Sequence, residues 1–152
     1  MFPLRWRRPA RGERGSASIE FAVSGMVLFT MMIGVMTMCQ GIYTYHYVSE
    51  AAREGTRYAV VNGSSVTTPA TTSSIQTYVR NLGYPGIQSS LMTVTTTWSA
   101  YPTGVTCTPS STCNNPGNLV TVKTSYAYPL SIPYLGSKTL TMTSTSAMVI
   151  SQ

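Results

Sequence analysis

Residues 21–39 read FAVSGMVLFTMMIGVMTMC, nineteen residues without a charge. As a helix this run reaches ~28 Å, close to the ~30 Å hydrocarbon core of a bilayer. Its polar members, Ser24, Thr30 and Thr37, can bond back to carbonyls of their own helix. Gly25 and Gly34 are small enough for close helix contacts. A helix that is apolar on every face either spans a membrane or sits in the core of a large protein. At 152 residues the chain suits one small domain plus an anchor, too little to surround such a helix. A transmembrane helix at about 20–40 is therefore predicted.

The flanks give the span a direction. Five of the ten basic residues, Arg5, Arg7, Arg8, Arg11 and Arg14, lie in the first fourteen positions, with only Glu13 opposing them. Such an excess holds the preceding segment on the cytoplasmic side. The net charge of +6 is thus a topology signal. Beyond residue 15 only five basic and three acidic residues remain, with no basic stripe interleaved by aromatics. Nucleic acid is accordingly not an expected partner. Charged residues make up 9% of the chain, well below the roughly 25% of soluble domains, and Asp is absent. Abundant Ser and Thr in the second half suit an exported β domain.

The run also reads as retained rather than removed. A secretory signal would be cut behind its apolar region at an Ala-x-Ala type site. Here it continues into QGIYTYHYVSEAAREGTRYAVV, which has helical character. Cys39 is preceded by Met38, too bulky for a lipoprotein signal. Arg7-Arg8 is followed by Pro9-Ala10 and lacks the rest of a twin-arginine signal.

Residues 11–21, RGERGSASIEF, place one acid, Glu20, at the cytoplasmic edge of the span. A carboxylate at mid-bilayer costs on the order of 2.5–3.5 kcal/mol, and less near the edge. One reading is an interfacial residue reaching headgroups. The other comes from a resemblance. A basic leader, a Gly, four small or apolar residues, then Glu and an aromatic opening an apolar helix is similar to the processing site of type IV prepilins. The resemblance implies that a prepilin peptidase cuts on the cytoplasmic side after Gly15. Ser16 becomes the new N-terminus, with Glu20 and Phe21 as the fifth and sixth residues of the mature chain. Gly at the cut lets the backbone approach catalytic groups closely. In an assembled filament Glu20 of one subunit would neutralise the α-ammonium of a neighbour, so that neither charge is isolated in low dielectric.

Residues 47–65, YVSEAAREGTRYAVVNGSS, resemble the stretch that follows the membrane in TadE-like minor pilins of tight-adherence (Flp) pili. The resemblance covers residues 12 to about 65. It is fainter in PGNLVTVKTSYAYPL and KTLTMTSTSAMVIS. Read from the residues alone, the same run is amphipathic: Val48, Ala52, Gly55 and Ala59 recur on one helical face. Glu50–Arg53 and Glu54–Arg57 are i, i+3 pairs, each worth ~0.2–0.5 kcal/mol. The arginines either pair this way or contact lipid headgroups or another subunit. Tyr43, Tyr45, His46 and Tyr47 sit where an aromatic interface belt belongs. Asn62-Gly63 is a stop signal.

Past a polar connection at 64–72, a short helix is predicted over Ser73 to Leu82. Ser73 and Gln76 form its capping box, and Ile75, Tyr78, Val79 and Leu82 its apolar face. Gly83 and Pro85 end it. The period then changes to two in three series: Met92 to Trp98, Val120 to Tyr128, and Leu140 to Ile150. These predict a small antiparallel sheet with the helix on one face. The linkers 99–118 and 129–137 hold most of the Pro and Gly and read as loops.

Cys107 and Cys113 flank a short polar loop, which suits a disulfide in an oxidising compartment. Free thiols are the alternative. Over so short a loop a bridge adds modestly. His46 and Glu50 lack a third partner, so no metal site is expected. No Ser-His-acid set, carboxylate pair or phosphate loop can be assembled, so neither a cofactor nor a small-molecule substrate is expected. The chain reads as the substrate of an enzyme rather than an enzyme.

The expected architecture is α+β and type IV pilin-like. A cleaved basic leader occupies 1–15, an N-terminal helix 16–62, and an extracytoplasmic α+β domain 63–152. Expected partners are the prepilin peptidase, other pilin-like subunits and membrane lipid. The expected place is a bacterial inner membrane, with the C-terminal domain in the periplasm or on a surface pilus. Two rivals stand beside this: an uncleaved single-pass scaffold of a secretion complex, and a membrane-anchored binding module.

Overall fold

A computed structural model of the chain describes residues 13–107, 113–132 and 136–151. Residues 1–12 of the expected leader lie outside the described residues, as do residues 108–112 between Cys107 and Cys113. The order of elements is α1 (Glu13–Val61), α2 (Thr72–Arg80), β1 (Met92–Ser99), β2 (Thr106–Cys107), β3 (Leu119–Ile132) and β4 (Gly136–Val149). The chain divides into two compact units, one ending at Met38 and one beginning at Cys39, and α1 contributes to both.

In the first unit the helix is its own structure. Thr30 and Thr37 donate their hydroxyls to the carbonyls of Met26 and Ile33, each at 2.8 Å. Their polar atoms are thereby satisfied within the helix, as a bilayer requires. The large apolar side chains stay uncovered, from Phe21 through Leu28 and Met31 to Met38.

The second unit is a four-stranded antiparallel sheet in the order β2-β1-β3-β4, with α1 and α2 on one face. Alternation decides which side chains face the helices. Met92, Val94, Thr96 and Trp98 are buried on β1, and Val120, Val122, Thr124 and Tyr126 on β3. In register these meet as Met92↔Tyr126, Val94↔Thr124, Thr96↔Val122 and Trp98↔Val120. The opposite face is a hydroxyl surface in which Thr95, Lys123 and Thr145 share one row, and Thr93, Ser125 and Thr143 the next.

The helix supplies the rest of the core. Thr44, Tyr47, Val48, Ala51, Ala52, Gly55, Thr56 and Ala59 are buried, a stripe at three- and four-residue spacing. Ile75 and Val79 of α2 close the core from the side. Each fully buried side chain of this size contributes roughly 1.5–3 kcal/mol. Gly55 marks the closest approach. A Cβ there would lie 2.8 Å from Val79 Cγ2 and 3.2 Å from Val122 Cγ1.

Several sequence expectations are corrected. The short helix begins at Thr72 and its cap is Thr71 rather than Ser73. The Thr71 hydroxyl accepts from the Ser74 N–H, and the Ser74 hydroxyl accepts from the Thr71 N–H, so the box is completed by a serine in place of Gln76. Gln76 instead donates to the Val94 carbonyl, and Arg80 to that of Met92. These two side chains occupy carbonyls on the β1 edge where β2 does not reach, which blunts that edge. The linker 99–118 contains the additional strand β2. The linker 129–137 is mostly strand, since β3 runs to Ile132 and β4 starts at Gly136. Pro129 is tolerated because β1 pairs with β3 only as far as Tyr126, leaving that edge of β3 without a ladder.

Candidate functional site

The candidate site is α1 itself, from Gly15 to the place where it enters the second unit. Gly15, Ser16, Glu20 and Phe21 all lie on the helix and all are exposed. A Cβ at Gly15, Gly25 or Gly34 would meet nothing within 4 Å, so packing inside this chain does not explain these glycines. Phe21 is 82% exposed. The most apolar part of the helix is not buried at all. Among the described residues nothing covers this surface. Among the described residues one helix, Gly15–Val61, is long and apolar enough to cross a membrane.

Where the apolar run ends, the sequence reading needs one correction. Tyr43 and Tyr45 are exposed, as a belt requires, but Tyr47 is buried. Its position falls on the stripe that includes Thr44, Val48 and Ala51, so the helix turns it into the core. There its hydroxyl reaches Met92 Sδ at 4.0 Å and its ring packs on Tyr84 at 4.0 Å between centroids. Burial is the main cause that raises the Tyr84 hydroxyl above its usual pKa, with Glu50 and Glu54 adding to it. Farther along, Glu50–Arg53 and Glu54–Arg57 pair at 3.9 and 3.7 Å. Both lie at the surface, Glu54 partly buried, and are of small energetic weight. His46 is exposed, and among the described residues no three His, Cys, Asp or Glu side chains converge on a metal position.

The contacts that lock α1 to the sheet were not legible in the sequence. Thr124 donates its buried hydroxyl to the Val48 carbonyl at 2.8 Å. Thr56 donates to the Ala52 carbonyl at 2.7 Å and also lies 3.3 Å from that of Ser146. Tyr128 donates to the Gln40 amide oxygen at 3.5 Å. Beyond the helix, buried Asn114 donates to the carbonyls of Asn62 and Ala70, pinning the connection after α1. Threonines in strands look like propensity alone. Their use as donors to a helix backbone emerges only once the faces are assigned.

Cys107 and Cys113 are brought together as free thiols. A hydrogen bond with Cys113 is the main cause that raises the Cys107 thiol above its ordinary pKa. The expected bridge is not formed in this structure, though its two partners are neighbours.

A long uncovered helix joined to a small antiparallel sheet with one covering helix is a pilin-like α+β layout. Residues 15–57 match the family model described as TadE-like protein, so this segment is TadE-like. The match spans α1 from Gly15 through the paired Glu54 and Arg57 and leaves the sheet outside. No curated protein and no solved structure matches the chain.

Proposed function

We propose that this chain is a minor pilin or pseudopilin, assembled through its N-terminal helix in a tight-adherence (Flp) or type IV pilus or a related secretion system. The observation that carries the reading is the TadE-like match on a helix whose apolar part has no cover of its own. The N-terminus starts inside the cell. A prepilin peptidase hydrolyses the Gly15–Ser16 peptide bond, and Ser16 gains a free α-ammonium. The helix stays in the inner membrane until assembly, with the sheet unit in the periplasm. On assembly, Glu20 of one subunit pairs with the Ser16 ammonium of a neighbour, and the exposed apolar surface packs against other pilin-like helices. Gly25 and Gly34 permit the close approach. The Cys107–Cys113 bridge forms on export into an oxidising compartment. The chain is processed and assembled, and it catalyses nothing itself.

The test is N-terminal sequencing of the mature protein. Ser16 is the expected first residue, and Gly15→Leu is expected to leave the chain uncut. An intact N-terminus in the unaltered protein supports the uncleaved scaffold instead. Normal trimming of Gly15→Leu sinks the processing claim.

A further inference from the structure

α2 packs on α1 at Gly55, where a Cβ would meet Val79 and Ile75. Nearly one turn farther along α1, at Tyr58, a groove of about 490 Å³ runs beside that contact. Its other walls are Ser73, Ser74, Thr77, Tyr78 and Asn81. Its size falls in the range of small-molecule sites. Ser73, Thr77 and Asn81 recur at four-residue spacing and form one row, with Ser74 and Tyr78 in the row beside it. The Tyr58 and Tyr78 rings stack at 4.4 Å between centroids and 17° between planes. Both are half-buried against the core, so the pair is a rigid aromatic wall.

The polar atoms around this wall divide into engaged and free. Ser74 is engaged by the helix cap, accepting from the Thr71 N–H and donating to the Thr71 carbonyl. Thr77 donates to the Ser73 carbonyl at 2.9 Å, which leaves its oxygen able to accept. The Asn81 amide and the hydroxyls of Tyr58 and Tyr78 have no hydrogen-bond partner among the described residues. No charged side chain lines the groove. The charged neighbours in sequence are engaged elsewhere, Arg57 with Glu54 and Arg80 with the Met92 carbonyl. An ionic ligand would therefore find no counter-charge. A hydrocarbon would strip water from the amide and hydroxyls without replacing their hydrogen bonds. A neutral sugar satisfies both kinds of wall, with C–H faces for the rings and hydroxyls for the polar atoms. A carboxamide offers donor and acceptor side by side, which suits two adjacent hydroxyls.

We propose that the groove between Tyr58 and α2 binds a neutral saccharide. One sugar ring lays its C–H face on the Tyr58–Tyr78 pair, a contact that an amphipathic ring with a polar tip is suited to make. The sugar hydroxyls meet the Asn81 amide, the Thr77 oxygen and the tyrosine hydroxyls. The sugar is held and not changed, since no acid or base lines the groove. The stacked rings and the helical row are in place before the ligand arrives, which lowers the cost of binding. A single site of this kind is weak, and several copies held together would gain by avidity. The inference goes beyond the assembly reading and does not rest on it, because an uncleaved chain carries the same groove.

The test uses the full chain in lipid nanodiscs, free of sugar-headed detergent, with its tyrosine rings isotope-labelled for NMR. Neutral tetrasaccharides of glucose, galactose, mannose and N-acetylglucosamine are titrated in. At least one is expected to give saturable shifts at Tyr58 and Tyr78, while the exposed Tyr101 stays in place. Asn81→Ala is expected to weaken that binding about three- to tenfold, as one lost hydrogen bond does. The Asn81 backbone is in the ordinary right-handed region, so Ala fits there. Tyr78→Phe keeps the stack and is expected to weaken binding by a few-fold. Tyr78→Ala removes the wall and is expected to abolish it. Near-ultraviolet dichroism of Trp98 shows whether that variant folds, and Asn81→Ala carries the test if it does not. Thr95→Ala, on the hydroxyl face of the sheet, is expected to change nothing. The inference is overturned if no sugar in the set shifts Tyr58 and Tyr78, or if Asn81→Ala and Tyr78→Phe both bind as the unaltered protein does. A stronger response to an oligouronate or an alkyl alcohol than to every neutral sugar overturns it as well. An intact Met1 in the mature protein would remove the processing claim and leave the sugar result standing.

Discussion

Gly25 and Gly55 belong to one continuous helix and answer to different neighbours. Around Gly25 the helix is apolar on all sides and a Cβ would meet nothing. Around Gly55 it is apolar on one stripe, and a Cβ would press on Val79 and Val122. The second half of α1 is thus explained by the chain's own core, with Val48, Ala51, Ala52 and Ala59 turned to the sheet. The first half is covered by nothing among the described residues. Under the proposed function, lipid or other pilin-like helices would cover that surface.

The contrast can be broken most directly at Gly55. Gly55→Leu is expected to destabilise the sheet unit by about 3 kcal/mol or more, since overpacking against two β-branched neighbours forces backbone shifts. Thermal unfolding in detergent, followed by near-ultraviolet dichroism of the buried Trp98, measures it. Pairing the milder Gly55→Ala with Val79→Ala is expected to cost less than the two separate losses together, because the pressing Cγ2 is gone. Equal additivity would mean that the close approach relaxes without Val79.

Oxidation of the Cys107–Cys113 pair comes next. Closing so short a loop is expected to add about 2 kcal/mol at most, lost again on reduction. Mass mapping without reductant checks the bond, and the melting temperature with and without reductant checks its weight. Thr124→Val removes the hydroxyl that holds the Val48 carbonyl and is expected to cost ~1 kcal/mol in the same melt. At the far end of the scale, Gly25→Leu and Gly34→Leu are expected to leave the melt of the sheet unit unchanged. Their effect is expected in cross-linking yield between subunits, which falls. A clear loss of sheet stability from either would erase the distinction between the two halves.

Much of this molecule was legible in its residues. The uncharged run, the stripe from Val48 to Ala59 and the three period-two series each carry a strong geometric signal, and each appears as read. The misreadings share a cause. Tyr47 was assigned by its neighbours in sequence, while its fate depends on which side of the helix meets the sheet. Pro129 signalled a loop, because an unladdered strand edge cannot be known before the lengths of β1 and β3 are compared. The cap at Thr71 lost to Ser73 in the sequence because several hydroxyls stood within one turn. The candidate site divides in the same way. The residues around the Gly15–Ser16 bond are read from a local pattern, whereas the Gln40–Tyr128 contact joins positions far apart in sequence and needs the fold.

The hydroxyl face of the sheet has a consequence for the conditions the molecule can meet. After Glu54 the chain contains no Asp, Glu or His. Between about pH 5 and 7 no side chain from Gly55 onward changes its charge. Lys123 is flanked in register by Thr95 and Thr145, hydroxyls that neither attract nor repel it strongly. Acidification or salt therefore has little to act on there. A surface built this way keeps its charge unchanged from neutral to mildly acidic surroundings, with hydration rather than charge as its common language.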